Sequence, residues 1–406
     1  MYIKRHITNI LSEDLRGFSS ILLTGPRQVG KSTVLKEDFS GIRYVTLDDR
    51  LVLQALKEDP SGFLKMYGSP LILDEIQRAP DSFIDIKLMI DEKKEKGMYI
   101  LTGSQKYHLM KNISESLAGR ISIMEMLGLS LREINGDDFN RPFFPDDGYY
   151  EARKTFTHYE PNELWDMIRK GSMPEVYAND MLDPQRYYAS YVNSYIERDV
   201  RELSQVGDTI AFTQFMTALA ARTGELLNMH SIASDVGVDD KTVKRWISIL
   251  EASGIIYLLR PFSQNAGRRI VKTPKVYFTD TGLVCYLCRW LTTETLMNGA
   301  NAGNIFETFV FGEILKSYYN AGIKPDIYFF RTTNGQEIDF VFYRDGVLYP
   351  LEVKKTFSPN VKDIKHFSVL GKHFPTLKVG KGGVICSYDS LMPLDGNNMV
   401  IPVGML

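Results

Sequence analysis

Cysteine is scarce in this chain: Cys285, Cys288 and Cys386 are the three among 406 residues. So small and odd a number excludes a disulfide framework and points to a reducing compartment. Cys285-x-x-Cys288 would supply half of a tetrahedral zinc site. No second pair at suitable spacing completes it, so both cysteines read as small apolar residues of a helix or strand. Long apolar runs are missing too. None reaches the ~18 residues of a membrane span, and the opening MYIKRHITNILSEDLRG has no signal-peptide core. A cytoplasmic protein with no membrane contact is the expectation. Nor is there a surplus of charge. The formal net charge of -2 exerts no global pull on nucleic acid or anionic lipid, so any such binding must come from a local patch.

What the chain does have is apolar content, 44% of its residues, and a length that suggests two or three domains. Its most informative stretch runs from Ile21 to Thr33, a short apolar strand entering Gly25-Pro26-Arg27-Gln28-Val29-Gly30-Lys31-Ser32-Thr33. The two glycines bracket four residues and are followed at once by Lys31 and Ser32, which satisfies G-x-x-x-x-G-K-[ST]. Such a loop turns successive N–H groups inward around phosphate oxygens, at a helix N-terminus whose dipole favours an anion. Lys31 would neutralise the terminal phosphates and the Ser32 hydroxyl would hold Mg²⁺. A Gly-rich turn that binds no nucleotide is the alternative.

Ahead of the loop, residues 1–19 read as a helix with Ile7, Ile10, Leu11 and Leu15 on one face. A helix begins at Lys31, and Tyr44 to Leu47 form a second strand. Leu71-Ile72-Leu73 is a third strand, apolar enough to be buried on both faces of a parallel sheet, and it ends in Asp74-Glu75. Asp74 suits the Mg²⁺ shell, and Glu75 suits a water attacking the γ-phosphate. A further strand, Tyr99-Ile100-Leu101, runs into Thr102-Gly103-Ser104-Gln105. In this architecture the strand between the loop strand and the acid strand carries a polar side chain near that water. Ser104 or Gln105 would fill the role, or they cap a strand-to-helix turn. Arg120 precedes the strand Ile121 to Met124 and is either a finger reaching a neighbouring subunit's γ-phosphate or a surface arginine.

The phrases GPRQVGKST, LILDEIQRAP, LTGSQ, SESLAGRI and GLSLREI, in order over roughly residues 18–134, resemble the AAA+-type P-loop ATPases that carry a C-terminal domain of unknown function, DUF4143. The resemblance implies ATP and Mg²⁺ as cofactors and a possible homo-oligomer. It makes Gly25, Gly30, Lys31 and Ser32 the Walker A residues, Asp74 and Glu75 the Walker B acids, Ser104 a sensor and Arg120 a finger candidate. The usual AAA+ sensor is Asn, and Ser104 is shorter.

From Asn135 to Pro161 the pattern breaks into Pro, Asp and aromatic residues, a connection out of the first domain. Gly171 to Glu175 and Tyr195 to Val200 resemble phrases of the same family, with packing against the ATPase as their expected use. Between His230 and Pro261 a short helix, a Gly turn, a longer helix and an apolar strand make a winged helix-turn-helix pattern. Val243, Trp246, Ile247 and Leu250 share one face of the longer helix, leaving Lys241, Lys244 and Arg245 outward, as a recognition helix needs. Arg260, Arg268, Arg269, Lys272 and Lys275 extend a basic stretch. Binding of DNA and protein packing with a solvated basic face are the two readings.

In the C-terminal part, Glu307 and Glu313 lie on a helix, and strands follow at Asp326 to Arg331, Glu337 to Tyr343 and Val347 to Lys354. Alternate strand residues share a face, so Glu337 pairs with Asp339 and Glu352 with Lys354, while Ile338, Phe340 and Val353 point to the core. Helix-Glu, strand-Asp, strand-Glu-x-Lys resembles the PD-(D/E)xK nuclease superfamily. By that resemblance Asp339 and Glu352 ligate a metal, Lys354 positions the water and Glu307 completes the shell. A charged surface on an ordinary domain and a nuclease fold kept only for binding are the alternatives.

The expected fold class is therefore α/β: a P-loop NTPase parallel sheet (1–135), a helical connector (136–208), a winged helix (209–265) and a restriction-endonuclease-like α/β domain (266–406). The expected function is Mg²⁺-dependent ATP hydrolysis acting on or with DNA, with possible endonuclease activity. The alternative is a nucleotide-gated scaffold whose C-terminal domain binds a protein partner.

Overall fold

A computed structural model describes residues 1–103, 117–196, 209–264 and 273–406. Within them the N-terminal part is a parallel sheet of β1 (Ser20–Thr24), β2 (Arg43–Thr46), β3 (Leu71–Asp74), β4 (Tyr99–Gly103) and β5 (Ile121–Glu125), in spatial order β2-β3-β4-β1-β5. The strands alternate their side chains between two cores. Ile21, Leu23, Ile72 and Ile100 enter one, and Leu22, Leu71, Leu73 and Leu101 the other. That two-sided burial is why these strands are continuously apolar. Helices α1 (Ile7–Gly17), α2 (Lys31–Asp38), α3 (Arg50–Glu58), α4 (Pro60–Tyr67) and α5 (Ser82–Lys93) supply the covering layers.

The middle part is helical: α6 (Pro161–Lys170), α7 (Pro174–Ala178), α8 (Pro184–Tyr191) and α9 (Thr209–Ala220). Asn228 then caps α10 (Met229–Val236), Gly237 ends it in the left-handed conformation, and Asp239 caps α11 (Asp240–Ala252). The hairpin β6 (Ile256–Leu259) and β7 (Lys275–Phe278) completes a winged-helix arrangement and spans the expected 265/266 boundary. On α11 the residues Val243, Trp246, Ile247 and Leu250 are buried, while Lys241, Lys244 and Arg245 are exposed. Arg268, Arg269 and Lys272 lie outside the described residues.

After α12 (Thr281–Leu287) and a short helix at Thr293–Asn298 comes α13 (Ala302–Tyr319), a helix buried almost all round. Next is a mixed sheet of β8 (Ile327–Arg331), β9 (Glu337–Arg344), β10 (Val347–Lys354), β11 (Lys378–Val379), β12 (Gly382–Cys386), β13 (Met392–Pro393) and β14 (Asn398–Pro402). The α13 helix also reaches back to the first domain. Its Glu313 accepts from the Leu131 N–H at 2.9 Å, and its Lys316 donates to the Leu129 carbonyl at 2.9 Å. One hydrophobic core accordingly runs from Ile7 to Leu406. Cys285 and Cys386 are buried free thiols, with Cys288 half-buried, and burial pushes all three thiols up. No helix among the described residues is long and apolar enough to cross a membrane.

Candidate functional site

The loop after β1 is shaped by contacts on both sides. Gly25 sits at φ 141°, where a Cβ would lie 2.0 Å from the Met126 carbonyl oxygen at the end of β5, so a side chain is impossible there. Gly30, at φ 94°, turns the chain left-handed into α2. Arg5 braces the loop from below, donating to the Val29 carbonyl at 2.7 Å and to those of Leu127 and Gly128 at 2.8 and 3.1 Å. The Arg5 Nε meets Glu133 at 3.0 Å, and both side chains are almost wholly buried. Burial alone would raise the Glu133 carboxyl. Arg5 and the N–H groups of Ser130 and His6 outweigh it and hold the group below its usual range.

Lys31 is buried and folds over its own loop, donating to the carbonyls of Gly25 at 2.9 Å and Pro26 at 2.7 Å. Opposite it, the Ser32 hydroxyl donates to both Asp74 oxygens at 3.0 and 3.1 Å. Asp74 is buried at the end of β3 and also receives the hydroxyls of Tyr44 and Thr102. Among the described residues its hydrogen bonds come from the hydroxyls of Ser32, Tyr44 and Thr102, with no ion pair. Burial and then the bond to Asp74 push the Tyr44 phenol up. Glu75 follows at φ 61° and is half-buried, its carboxylate receiving the Gln77 amide and its N–H pointing at Thr102 Oγ1 at 3.3 Å. Burial raises the Glu75 carboxyl, against the pull of Gln77 and Lys31.

Beside these groups lies a cavity of about 410 Å³, lined by Arg27, Gln28, Gly30 to Thr33, Glu75 and two residues from the middle part, Pro174 and Glu175. The middle part also grips the loop. Tyr187 on α8 donates to Gln28 Oε1 at 2.7 Å, and Tyr191 to the Arg27 carbonyl at 3.4 Å. Pro174 and Glu175, the end of a segment expected to pack against the ATPase, therefore form one wall of the pocket. Thr102 lies on β4, between the loop strand and the acid strand, where a polar side chain was expected. It stands two residues before Ser104, which with Gln105 lies outside the described residues. Sequence reasoning missed Thr102, Tyr44 and Arg5. Strand position was the available signal for Thr102; nothing local marked Arg5, whose partner Glu133 is 128 residues away.

Arg120 lies elsewhere. Its carbonyl accepts from Ser20 at the start of β1, the end of the sheet opposite the loop, and its guanidinium holds Asp91 at 2.6 and 3.1 Å. It belongs to no part of its own chain's cavity.

The C-terminal residues form a second charged cluster. Lys354 donates to Glu352 at 2.7 Å and lies 3.5 Å from Asp339, which also accepts from the Val353 N–H at 2.9 Å. Glu307 instead faces Lys275 at 3.0 Å and the Tyr277 hydroxyl. Among the described residues, no three carboxylates, imidazoles or thiols converge to hold a metal. Of the expected set, Asp339, Glu352 and Lys354 are brought together, the two carboxyls meeting each other as well as the lysine, while Glu307 is engaged by Lys275 and Tyr277. Lys275 is corrected as well: it is not part of an outward basic face but buried, with its acids supplied by distant segments. Burial, then the charge of Asp339, pushes Glu352 up to about 9, while the lysines and the Val353 N–H hold Asp339 low against its burial.

Residues 18–135 match a family model described as an AAA domain, residues 161–294 a domain of unknown function (DUF8612) and residues 302–406 a domain of unknown function (DUF4143). Uncharacterized proteins of Mycobacterium tuberculosis and Mycobacterium bovis are each 25% identical over 388 residues, 95% of this chain and 80% of theirs. One from Methanocaldococcus jannaschii is 21% identical over 385 residues, 85% of this chain and 79% of its own. Among solved structures, a Walker-type ATPase of Pyrococcus abyssi aligns with a TM-score of 0.45 at 13% identity, over 70% of this chain and 96% of that one. A RuvB variant of Thermotoga maritima aligns at 0.31 and 15%, over 65% and 93%.

Proposed function

We propose that this chain, a AAA-type P-loop domain joined to a DUF4143 domain, is an Mg²⁺-dependent ATPase whose working partner is duplex DNA. The observation that carries the ATPase reading is the junction of loop and acid strand: Ser32 bonded to the buried Asp74 carboxylate, with Glu75 beside it on the cavity that the loop lines. Ser32 and Asp74 fit an Mg²⁺ ion, which supplies charge neutralisation on the phosphate oxygens when bound. The backbone from Gly25 to Thr33 cradles the phosphates, and Lys31 exchanges its two loop carbonyls for phosphate oxygens.

Glu75 holds the attacking water. As that oxygen bonds to the γ-phosphorus, the bond to the bridging oxygen breaks, ADP departs and a water proton passes to Glu75. The raised Glu75 carboxyl makes it the stronger base. Arg120 acts on this site only as a neighbouring copy's residue. In an ATP turnover assay, Lys31→Ala and Glu75→Gln each lose at least about 10²-fold activity, while Glu75→Gln still binds ATP. Turnover within a few-fold of wild type in Glu75→Gln would overturn the assignment.

DNA is supported by the exposed Lys241, Lys244 and Arg245 on α11, whose opposite face is buried. The scaffold reading, with a C-terminal domain that catalyses nothing, is favoured by a specific observation: Lys275, from outside the Glu-x-Lys pattern, pairs with Glu307 and Glu337 of its acidic cluster.

A further inference from the structure

The C-terminal acids are held by a lysine that does not belong to their own sheet. Lys275 comes from β7, the second strand of the winged-helix hairpin, and enters the cluster with a side chain only 4% exposed. Its ammonium spans two elements, 3.0 Å from Glu307 on α13 and 2.6 Å from Glu337 on β9, and lies 5.8 Å from the centre of the Phe329 ring. Tyr277, two residues further along the same strand, donates to the same Glu307 oxygen. Glu337's other oxygen receives Arg331 at 2.9 Å, and Lys354 lies 3.5 Å from Asp339 and 2.7 Å from Glu352.

We propose that Lys275 is the resident cation of this pocket, standing where a nuclease-like fold would bind a divalent metal, so that the pocket takes no metal while the lysine is present. A divalent ion needs several carboxylate oxygens at about 2.0–2.6 Å, and here one oxygen each of Glu307, Asp339 and Glu352 already faces N–H or O–H donors. It would also have to enter beside two ammonium groups. Lys275 cannot leave readily, because a buried ammonium is tolerated only while paired, and because it is tethered to the pocket by its own strand. The same side chain therefore fastens the winged helix to the C-terminal sheet. Phosphodiester cleavage by metal-activated water is not a reaction of this pocket. The inference is independent of the ATPase reading, since the P-loop lies on another part of the chain.

The test counts Mn²⁺ bound to the full-length protein without nucleotide, from the loss of the free-ion EPR signal. Wild type and Asp339→Asn bind the same number of ions. Lys275→Met, which keeps length and removes charge, gains one equivalent with a dissociation constant of about 1 mM or tighter. Lys275→Met/Asp339→Asn loses it again, and Lys275→Arg gains none. An equivalent in wild type that vanishes in Asp339→Asn overturns the proposal, as does a Lys275→Met protein with wild-type circular dichroism that gains nothing. Should Lys275→Met fail to fold, the wild-type and Asp339→Asn comparison decides alone: equal counts support the proposal and an Asp339-dependent ion refutes it.

Discussion

Replacing Arg5 by methionine is predicted to loosen the phosphate-binding loop without touching any residue that faces the cavity. Arg5 makes four hydrogen bonds in the interior, three to carbonyls of Val29, Leu127 and Gly128 and one to Glu133. Methionine fills most of the volume but leaves a buried carboxylate without its cation and three carbonyls without a donor. Breaking a buried ion pair by removing one partner costs about 3–5 kcal/mol. The orphaned carbonyls add to this, less than additively because the segment relaxes. The remaining N–H donors on Glu133 soften it, so we take the lower bound of about 3 kcal/mol. By the rule that 1.4 kcal/mol is tenfold, local opening rises about a hundredfold.

Native-state hydrogen exchange on peptides covering Val29 to Leu35 reads that change directly, where global melting of a multidomain chain would blur it. Glu133→Gln in the Arg5→Met background should recover part of the loss, with a coupling energy of about 2 kcal/mol. The pH dependence has a definite sign. The Glu133 carboxyl is held below its usual range, so its contribution is present above that range and lost as pH falls through the folded value. The difference between Arg5→Met and wild type therefore narrows in acid. Exchange in residues 29–35 altered by less than about fivefold, or a strictly additive double variant, would refute the bracing role.

Thr102→Val keeps the shape of β4 but removes the hydroxyl that contacts both Asp74 and the Glu75 N–H. ATP turnover should fall about tenfold or more with nucleotide affinity little changed; equal losses in both would point to disturbed binding instead. For Glu75, burial raises the folded carboxyl, so its charge costs stability above the folded value and costs nothing once both states are protonated. Glu75→Gln should thus melt higher than wild type at pH 8, with the gap closing toward pH 4. A gap independent of pH would argue for a packing effect. Lys244→Ala/Arg245→Ala should weaken duplex binding and flatten the slope of log affinity against log salt by about two. An unchanged slope would remove α11 from the DNA interface.

The nucleotide loop was legible because its chemistry is written in consecutive residues: glycines for backbone room, then Lys31 and Ser32. The strands β1, β3 and β4 were legible because burial on both faces forces unbroken apolar runs. Asp74 and Glu75 followed from their place at a strand end, paired with the loop upstream and the LILDEIQRAP phrase. What stayed hidden depends on contacts between distant segments. The sequence around Arg5 looks like an ordinary charged start to a helix, and its bracing role needs residues 127–133 folded over it. Lys275 follows a run of cations and reads as one more of them. Its acids arrive from 32 and 62 residues away, and only the fold shows that they bury it. Gly171 to Glu175 shows no chemical pattern because Pro174 and Glu175 contribute shape, closing a cavity whose reactive groups are elsewhere.

The reach of α13 back to Leu129, Leu131 and Glu133 bears on how this gene can be cut and rearranged. Three stretches match separate domain descriptions, which invites treating them as interchangeable cassettes. Yet Lys316 and Glu313 supply hydrogen bonds that the exit of the P-loop domain lacks by itself, and Asn320 touches the same Glu133 that Arg5 holds. A fragment ending near residue 135 would bare a polar seam and an apolar face together, a recipe for inclusion bodies. Swapping the far half for a homologue's would succeed only if the donor brought its own version of that seam.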